Sequence, residues 1–238
     1  MKRENVRKYV GLMNDEIKAM EKDFNYESIR ESWEKGEWSI TRPGNTKIDK
    51  GVLSVNIPPV VTCRNCSGCM YDCYAVKALM RPNVRKAWAR NFILARDYTS
   101  IFRSMIIQEI SRYVLKANIK GQGLVVRIHS SRDMFNQEYL DMWEYVARQF
   151  PQVQFYTYSK VKGMLDFSRV DDMDNFNVID SLIDGRVNFG SMDYCLEMVK
   201  KHNAFLCPCY QDKEGFKVKC GIDCTYCIKG NKPVFMVH

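Results

Sequence analysis

The cysteines of this chain fall into two dense groups. The first is the run "TCRNCSGCMYDC", which carries Cys63, Cys66, Cys69 and Cys73. The second is the C-terminal set Cys207, Cys209, Cys220, Cys224 and Cys227, with Cys195 upstream of it. Thiolates this close along a chain suit a soft metal ion or an iron–sulfur cluster, and isolated structural cysteines do not bunch so tightly. In the first group only two residues separate the Cys63–Cys66 pair from the Cys69–Cys73 pair. That is cramped for one tetrahedral zinc, whose knuckles ordinarily stand on either side of a longer loop; a four-iron cubane accepts it more readily. The second group leaves both readings open. A cysteine pair, a ten-residue loop and a second pair form a zinc ribbon, and the tighter "CGIDCTYC" suits a cluster equally well. Five candidates for four positions leave one spare, Cys207 or Cys220. Cys195 lies in an amphipathic pattern beside Leu196 and Val199 and reads as a small buried hydrophobe.

The ligand reading depends on compartment. "MKRENVRKYVGLMNDEIKAM" lacks the apolar core of a signal peptide, and no apolar run approaches the ~20 residues of a membrane span. A cytoplasmic protein without a membrane partner is expected, and in a reducing compartment its cysteines are not a disulfide framework. Lysine and arginine number 36 against 28 acids. The resulting charge of +8 admits nucleic acid or a host protein as partner and requires neither. A phosphate-binding loop, a Gly-x-Ser-x-Gly elbow and a His-Glu-x-x-His helix are all missing, so kinase and hydrolase readings have no support.

The elements that must position the thiols follow from hydrophobic period. Residues 1–45 read as a helical extension, with Val6, Val10, Met13, Ile17 and Met20 on one stripe. Residues 46–206 read as an α/β core. "VLSVNIPP" alternates like a strand and stops at its prolines, directly before the first cysteine group. One long helix is expected from about Asn83 to Ala117, buried through Trp88, Phe92, Phe102, Ile106 and Ile110, with arginines on its other sides. "GLVVRIHS", a helix capped by Asn136, "VQFYTYS", "FNVIDSLI" and "RVNFGS" then alternate at the pace of an α/β fold. The expected architecture is a partial (β/α) barrel or an open, mostly parallel sheet. Residues 207–238 form a cysteine-rich, metal-binding segment that closes the core.

Polar residues gather where strands end. Arg127, His129 and Asp133 leave one strand at the edge where α/β sheets bind ligands. Arg127 suits a carboxylate or phosphate, and His129 a metal or a proton transfer. The bland alternative is an internal Arg127–Asp133 ion pair beside a core histidine. Tyr156, Tyr158 and Lys160 end the next strand; Asn188 and His238 are weaker candidates.

"TCRNCSGCMYDCYA", "VVRIHSSRDMFNQEYLDMW" and "FYTYSK", followed by a cysteine-rich end and "VFMVH", together resemble the phage gene-product-88 family over roughly Val52 to His238. The cysteine-then-"CYA" start of that family in turn resembles radical S-adenosylmethionine proteins. The resemblance implies a radical-SAM-like core, one or two 4Fe-4S clusters, S-adenosylmethionine as a candidate cofactor, an unknown substrate, and a place in the host cytoplasm. Residue by residue, the pattern falls on Cys63, Cys69, Cys73 and Tyr74, and on Arg127, His129, Asp133 and Phe135. Arg127, His129, Asp133 and, from the next strand, Tyr156 are the catalytic candidates; Tyr74, with Lys160 and Asn188 from their strand ends, are the cofactor-binding ones. Cys66 is an additional thiol within the motif, and Arg132 stands where the family has glycine. "CGIDCTYC" has radical-SAM spacing at the wrong end of the chain, so Cys220, Cys224 and Cys227 are expected to form an auxiliary cluster or a zinc site. The alternative from another class is a non-catalytic, metal-stabilised module that binds nucleic acid or a host protein through the basic helical face.

Overall fold

The computed structural model describes residues 2–44, 48–64, 69–71, 73–129, 133–183, 186–208, 218, 220–221 and 224–236. Cys66, Cys209, Arg132 and His238 lie outside the described residues, as does the side chain of Tyr74.

Two helices lead the chain: α1 (Arg3–Lys22) buries Val6, Met13 and Ile17, and α2 (Tyr26–Glu34) buries Trp33. The side chain of Asn25 caps α2 by accepting from the Ser28 amide. Strands β1 (Thr41–Pro43) and β2 (Val52–Val55) pair antiparallel. After β2 come the first cysteine loop, a 3-10 helix (Tyr74–Met80), α3 (Pro82–Asp97) and α4 (Thr99–Ile119). The single long helix expected here is therefore two. The chain breaks at Tyr98 (φ −135°, ψ 45°), whose ring packs on Phe24 and Tyr26 with centroids 5.5 and 5.2 Å away. This tertiary contact has no local signal.

Strand β3 (Leu124–Ile128), α5 (Gln137–Gln149), β4 (Val153–Ser159), α6 (Ser168–Asp171) and β5 (Phe176–Asp180) complete the main sheet. Its order is β1-β2-β3-β4-β5, and every pair after the first is parallel. The expected open, mostly parallel sheet is thus present, as five strands without closure into a barrel. With right-handed crossovers, strands added always in the same direction keep their connecting segments on one face. That face buries Leu53, Val55, Val126, Ile128, Phe155 and Phe176 against the helices. Period-two alternation sends Val52, Val125, Arg127, Tyr156, Tyr158, Asn177 and Ile179 to the opposite face.

The chain then builds a smaller unit. Strands β6 (Leu182–Ile183) and β7 (Arg186–Val187) form a hairpin. Strands β8 (Phe189–Gly190), β9 (Phe205–Leu206) and β10 (Pro233–Met236) form a parallel sheet with β10 in the middle, and α7 (Met192–His202) crosses from β8 to β9. Among the described residues no helix is long and apolar enough to cross a membrane.

A buried carboxylate fastens the N-terminal extension to the core. Glu109, on α4, is 3% exposed. Its Oε1 accepts from Trp33 Nε1 (2.6 Å) and the Ile40 amide (2.8 Å), and its Oε2 from the Thr41 amide (2.8 Å) and hydroxyl (2.6 Å). Four donors on one carboxylate set where α2 ends and where β1 begins. Glu109→Gln turns an amide donor toward donors, and it should cost about 3 kcal/mol of stability, read as a lower urea midpoint with little change in slope.

Candidate functional site

The first thiol group leaves the carboxyl end of β2. Val60 there has φ 66°, a region that a β-branched side chain enters only under strain. The turn is held by Thr62 Oγ1 donating to the Pro58 carbonyl (2.6 Å) and by the Cys63 amide donating to the Val60 carbonyl (3.2 Å). Cys69 is buried, Cys63 and Cys73 are half-buried, and Cys73 caps the 3-10 helix. Burial pushes the Cys73 thiol up, and the Ala75 and Val76 amides oppose this by favouring its thiolate. Negative charge on Cys63 and Cys69 acts on it in the same direction as burial, so these thiols are electrostatic neighbours. Helix α1 packs on the 3-10 helix, and the Arg3 guanidinium lies 4.8 Å from the centre of the Tyr71 ring.

The second group reaches the open sheet face. The Cys220 backbone makes isolated β-sheet pairings with Ile48 and with Cys224, and its carbonyl accepts from the Asp49 amide (2.9 Å). Gly221 has φ 103°, and a Cβ there would stand 2.6 Å from Val52 Cγ2, so both its conformation and its closeness to the sheet call for glycine. Cys227 packs with Tyr156, Tyr158 and Ile179, and the Asn177 side chain bonds the neighbouring Ile228 carbonyl. The Tyr158 phenol packs beside Cys227 and favours its thiolate. Burial pushes the Cys227 thiol up to about 11, the Tyr158 hydrogen bond and the Arg127 charge pull it back, and Cys220 and Cys224 raise it further. Among the described residues no group of three or more Cys, His, Asp or Glu is gathered closely enough to hold a metal ion. Each thiol group has the donor chemistry for a soft metal without the closed geometry. Cys207, by contrast, is 4% exposed and held in the small sheet, its amide donating to the Val234 carbonyl (2.9 Å). Cys195 is fully buried on α7, its sulfur 3.3 Å from the Phe235 carbonyl.

Arg127, His129 and Asp133 are separated into three surroundings. Arg127 lies on the open face, its Cζ 5.9 and 5.4 Å from the Tyr156 and Tyr158 ring centres. Alternation alone would put His129 beside it. Instead φ 63° at His129 turns the ring to the helical side, where Nε2 is 2.9 Å from Tyr139 Oη and the two rings are nearly parallel. Asp133 ties the β3–α5 connection to the end of β4. It accepts from Ser159 Oγ (2.8 Å), the Lys160 amide (2.5 Å) and the Met134 amide (3.0 Å). Burial raises its pKa above the usual carboxylate range, while these donors and the Lys160 charge oppose the rise. Asn188 serves the small sheet: its side chain donates to the Pro233 carbonyl (3.0 Å) and its backbone carbonyl accepts from the Phe235 amide (2.8 Å). Tyr158 contributes as much to the open-face site as Tyr156, and its same-face spacing two residues away was the available signal.

The arginines of α3 and α4 are engaged inside the chain. Arg85 pairs with Glu16 (3.8 Å), and Arg96 with Glu21 (2.7 Å) and Asp97 (2.6 Å). Arg90, Arg103 and Arg112 lie over Trp38, Tyr145 and Trp33 at 3.4, 4.4 and 5.1 Å.

A family model described as "Gene product 88" matches residues 35–207. The match takes in the first cysteine group and the polar strand ends, and it stops before Cys220, Cys224 and Cys227. The chain is 26% identical over 221 residues to the Gene 88 protein of Mycobacterium phage L5, covering 82% of this chain and 90% of that one. No solved structure matches.

The clamp at the carboxyl edge is testable apart from any chemistry. Asp133→Asn sets an amide donor among three donors and should lower stability by about 2 kcal/mol in urea titration, with Ser159→Ala costing about half as much. Cys195→Ala should leave unchanged any metal that the wild-type protein is found to carry; a loss of metal would make Cys195 a ligand.

Proposed function

The chain belongs to the gene-product-88 family, and on that premise we propose that it is an iron–sulfur protein with radical-SAM-like chemistry at the carboxyl edge of the main sheet. The observation that carries the reading is that Cys63, Cys69 and Cys73 share the loop leaving β2, with Cys63 and Cys69 near enough to Cys73 for charge on either to act on it. Amides from the first turn of the 3-10 helix favour the Cys73 thiolate, and hydrogen bonds of that kind to ligand sulfurs tune clusters. Cys69 is withdrawn from water, which suits a site that handles electrons. The chemistry a 4Fe-4S cluster with one open iron supplies when bound is one-electron reduction of S-adenosylmethionine.

The chain's own part is to hold the thiolates, exclude water and present a substrate at the same edge. Ligands of α/β sheets bind there because the loops converge there. Lys160 follows β4 at this edge with its amide fixed by Asp133, which places a cation there for an anionic group on substrate or cofactor. The engagement of the α3 and α4 arginines with internal acids and aromatic rings supports this reading over a nucleic-acid or host-protein module working through that face.

Protein purified without oxygen should contain iron and acid-labile sulfide in equal amounts, about four of each per cluster. Zinc without sulfide would overturn the reading. Cys69→Ala and Cys73→Ala should each lose that iron or yield insoluble protein, because ligation free energy is part of folding free energy.

A second measurement addresses the cofactor. If Cys63, Cys69 and Cys73 are the ligands, Cys66→Ser keeps its iron, and S-adenosylmethionine alters the electron paramagnetic resonance spectrum of the reduced protein. An unaltered spectrum, with no 5′-deoxyadenosine formed under dithionite, would leave an iron–sulfur protein without this chemistry.

A further inference from the structure

We propose that the surface where α1 meets the first cysteine loop and the 3-10 helix docks nucleic acid through its phosphate backbone. This is not the α3–α4 face, whose arginines are occupied within the chain. The inference does not depend on a metal at the first thiol group.

The charge of the chain is unevenly distributed. Residues 2–8 carry Lys2, Arg3, Arg7 and Lys8 against Glu4. Residues 64–90 carry six bases against one acid, Asp72, which lies outside the described residues. Ten bases to two acids is an excess of eight. The whole chain, with 36 bases and 28 acids, also has an excess of eight, so everything outside these two stretches is balanced.

The fold brings the two stretches together, because α1 packs along the 3-10 helix and α3. At one end of this seam the Arg3 guanidinium lies 4.8 Å from the centre of the Tyr71 ring, and further along Glu16 pairs with Arg85 (3.8 Å). Arg85 also donates to the Leu79 carbonyl (2.7 Å), and Arg90 lies over Trp38, so these two serve the interior. The four bases of residues 2–8 are exposed, and so are Arg64, Lys77, Arg81 and Lys86. Among the described residues none of these eight has an acid within ion-pair reach. Bases elsewhere on the surface are matched, as Lys162 is by Asp171 (3.0 Å) and Lys201 by Glu197 (3.0 Å).

Like charges gathered in this way repel one another and weaken the compact state, so the arrangement calls for an anion from outside. The cations are spread along two helices and a loop instead of converging on a point, which suits a linear polyanion over a small one. Among the described residues Met80 is the one large apolar side chain exposed within the two stretches. A protein partner would bury aromatic and apolar side chains at the centre of its contact, and a bilayer would take up an apolar face. A phosphate backbone requires neither and is held by lysine and arginine. Arg3, seated on Tyr71, adds a planar guanidinium of the kind on which unstacked bases lie.

The test is fluorescence anisotropy of the full-length protein, isolated without oxygen, with labelled single strands of DNA and RNA and a DNA duplex over a series of salt concentrations. Binding should weaken steeply as salt rises. Arg7→Gln, Lys77→Gln and Arg81→Gln should each weaken it about 3- to 10-fold at low salt, and each should flatten the slope of log Kd against log salt by about 0.7 on a single strand or 0.9 on the duplex. All three positions are exposed, and an unchanged circular dichroism spectrum shows that the fold is kept. Lys201→Gln, which removes the same charge from a pair with Glu197, is the control and should leave affinity and slope as they are. An equal loss from Lys201→Gln would reduce the effect to net charge and overturn the surface. Absence of binding to all three nucleic acids would overturn it too, as would tighter binding to polyglutamate or to phosphatidylserine vesicles than to any of them. Iron and sulfide content decides the proposed function separately. Nucleic-acid binding by protein that holds zinc without sulfide upholds this inference and fails that one, and an iron–sulfur protein without affinity for nucleic acid does the reverse.

Discussion

A parallel sheet is stable only when both of its faces are covered, and here the two faces are covered by different means. The crossovers between β2 and β5 all lie to one side, so the helices supply a single layer. The other face must be closed by chain that comes after the sheet, and Cys220, Cys227 and Ile228 pack on it. The position of the second thiol group follows from that geometric need. The first group owes its place to the same sheet, since any loop leaving β2 emerges at the carboxyl edge where the ends of β3 and β4 also lie.

Polar side chains buried at the joints then fix the layers in register. Glu109 gathers donors from Trp33, Ile40 and Thr41, and Asp133 gathers them from Met134, Ser159 and Lys160. Each carboxylate ties a loop to an element distant in sequence, which an apolar contact would do with less directional control. Asp133 thereby has a structural task that does not require it to touch substrate. His129, packed against Tyr139, is in the same position.

Much of this was readable from period and capping. Alternation identifies β3 and β4, and Asn136 before an apolar stripe identifies α5, because these signals are local and the elements are long enough to show them. The thiol groups were legible as groups for the same reason. What was not legible depends on contacts across the chain. The break at Tyr98 has neither glycine nor proline and comes from rings on the N-terminal extension. Glu109 sits in an apolar helix, where an acid alone gives no sign of its four donors. The parting of Arg127 from His129 turns on one left-handed residue, which alternation cannot foresee.

The pairing of Ile48 with Cys220 also sets an order of events during synthesis. Each strand of the main sheet docks beside the one made just before it, so the sheet and its helical layer can assemble as the chain leaves the ribosome. The cover for the open face cannot. Its partner at Ile48 was made roughly 170 residues earlier, and closing so long a loop waits until Cys220 has been made. Until then Tyr156, Tyr158 and Arg127 face solvent on a nascent sheet. The exposed face is thus a timer: the two thiol groups emerge at different moments, and the second reaches the sheet only after roughly 170 residues have been added beyond Ile48.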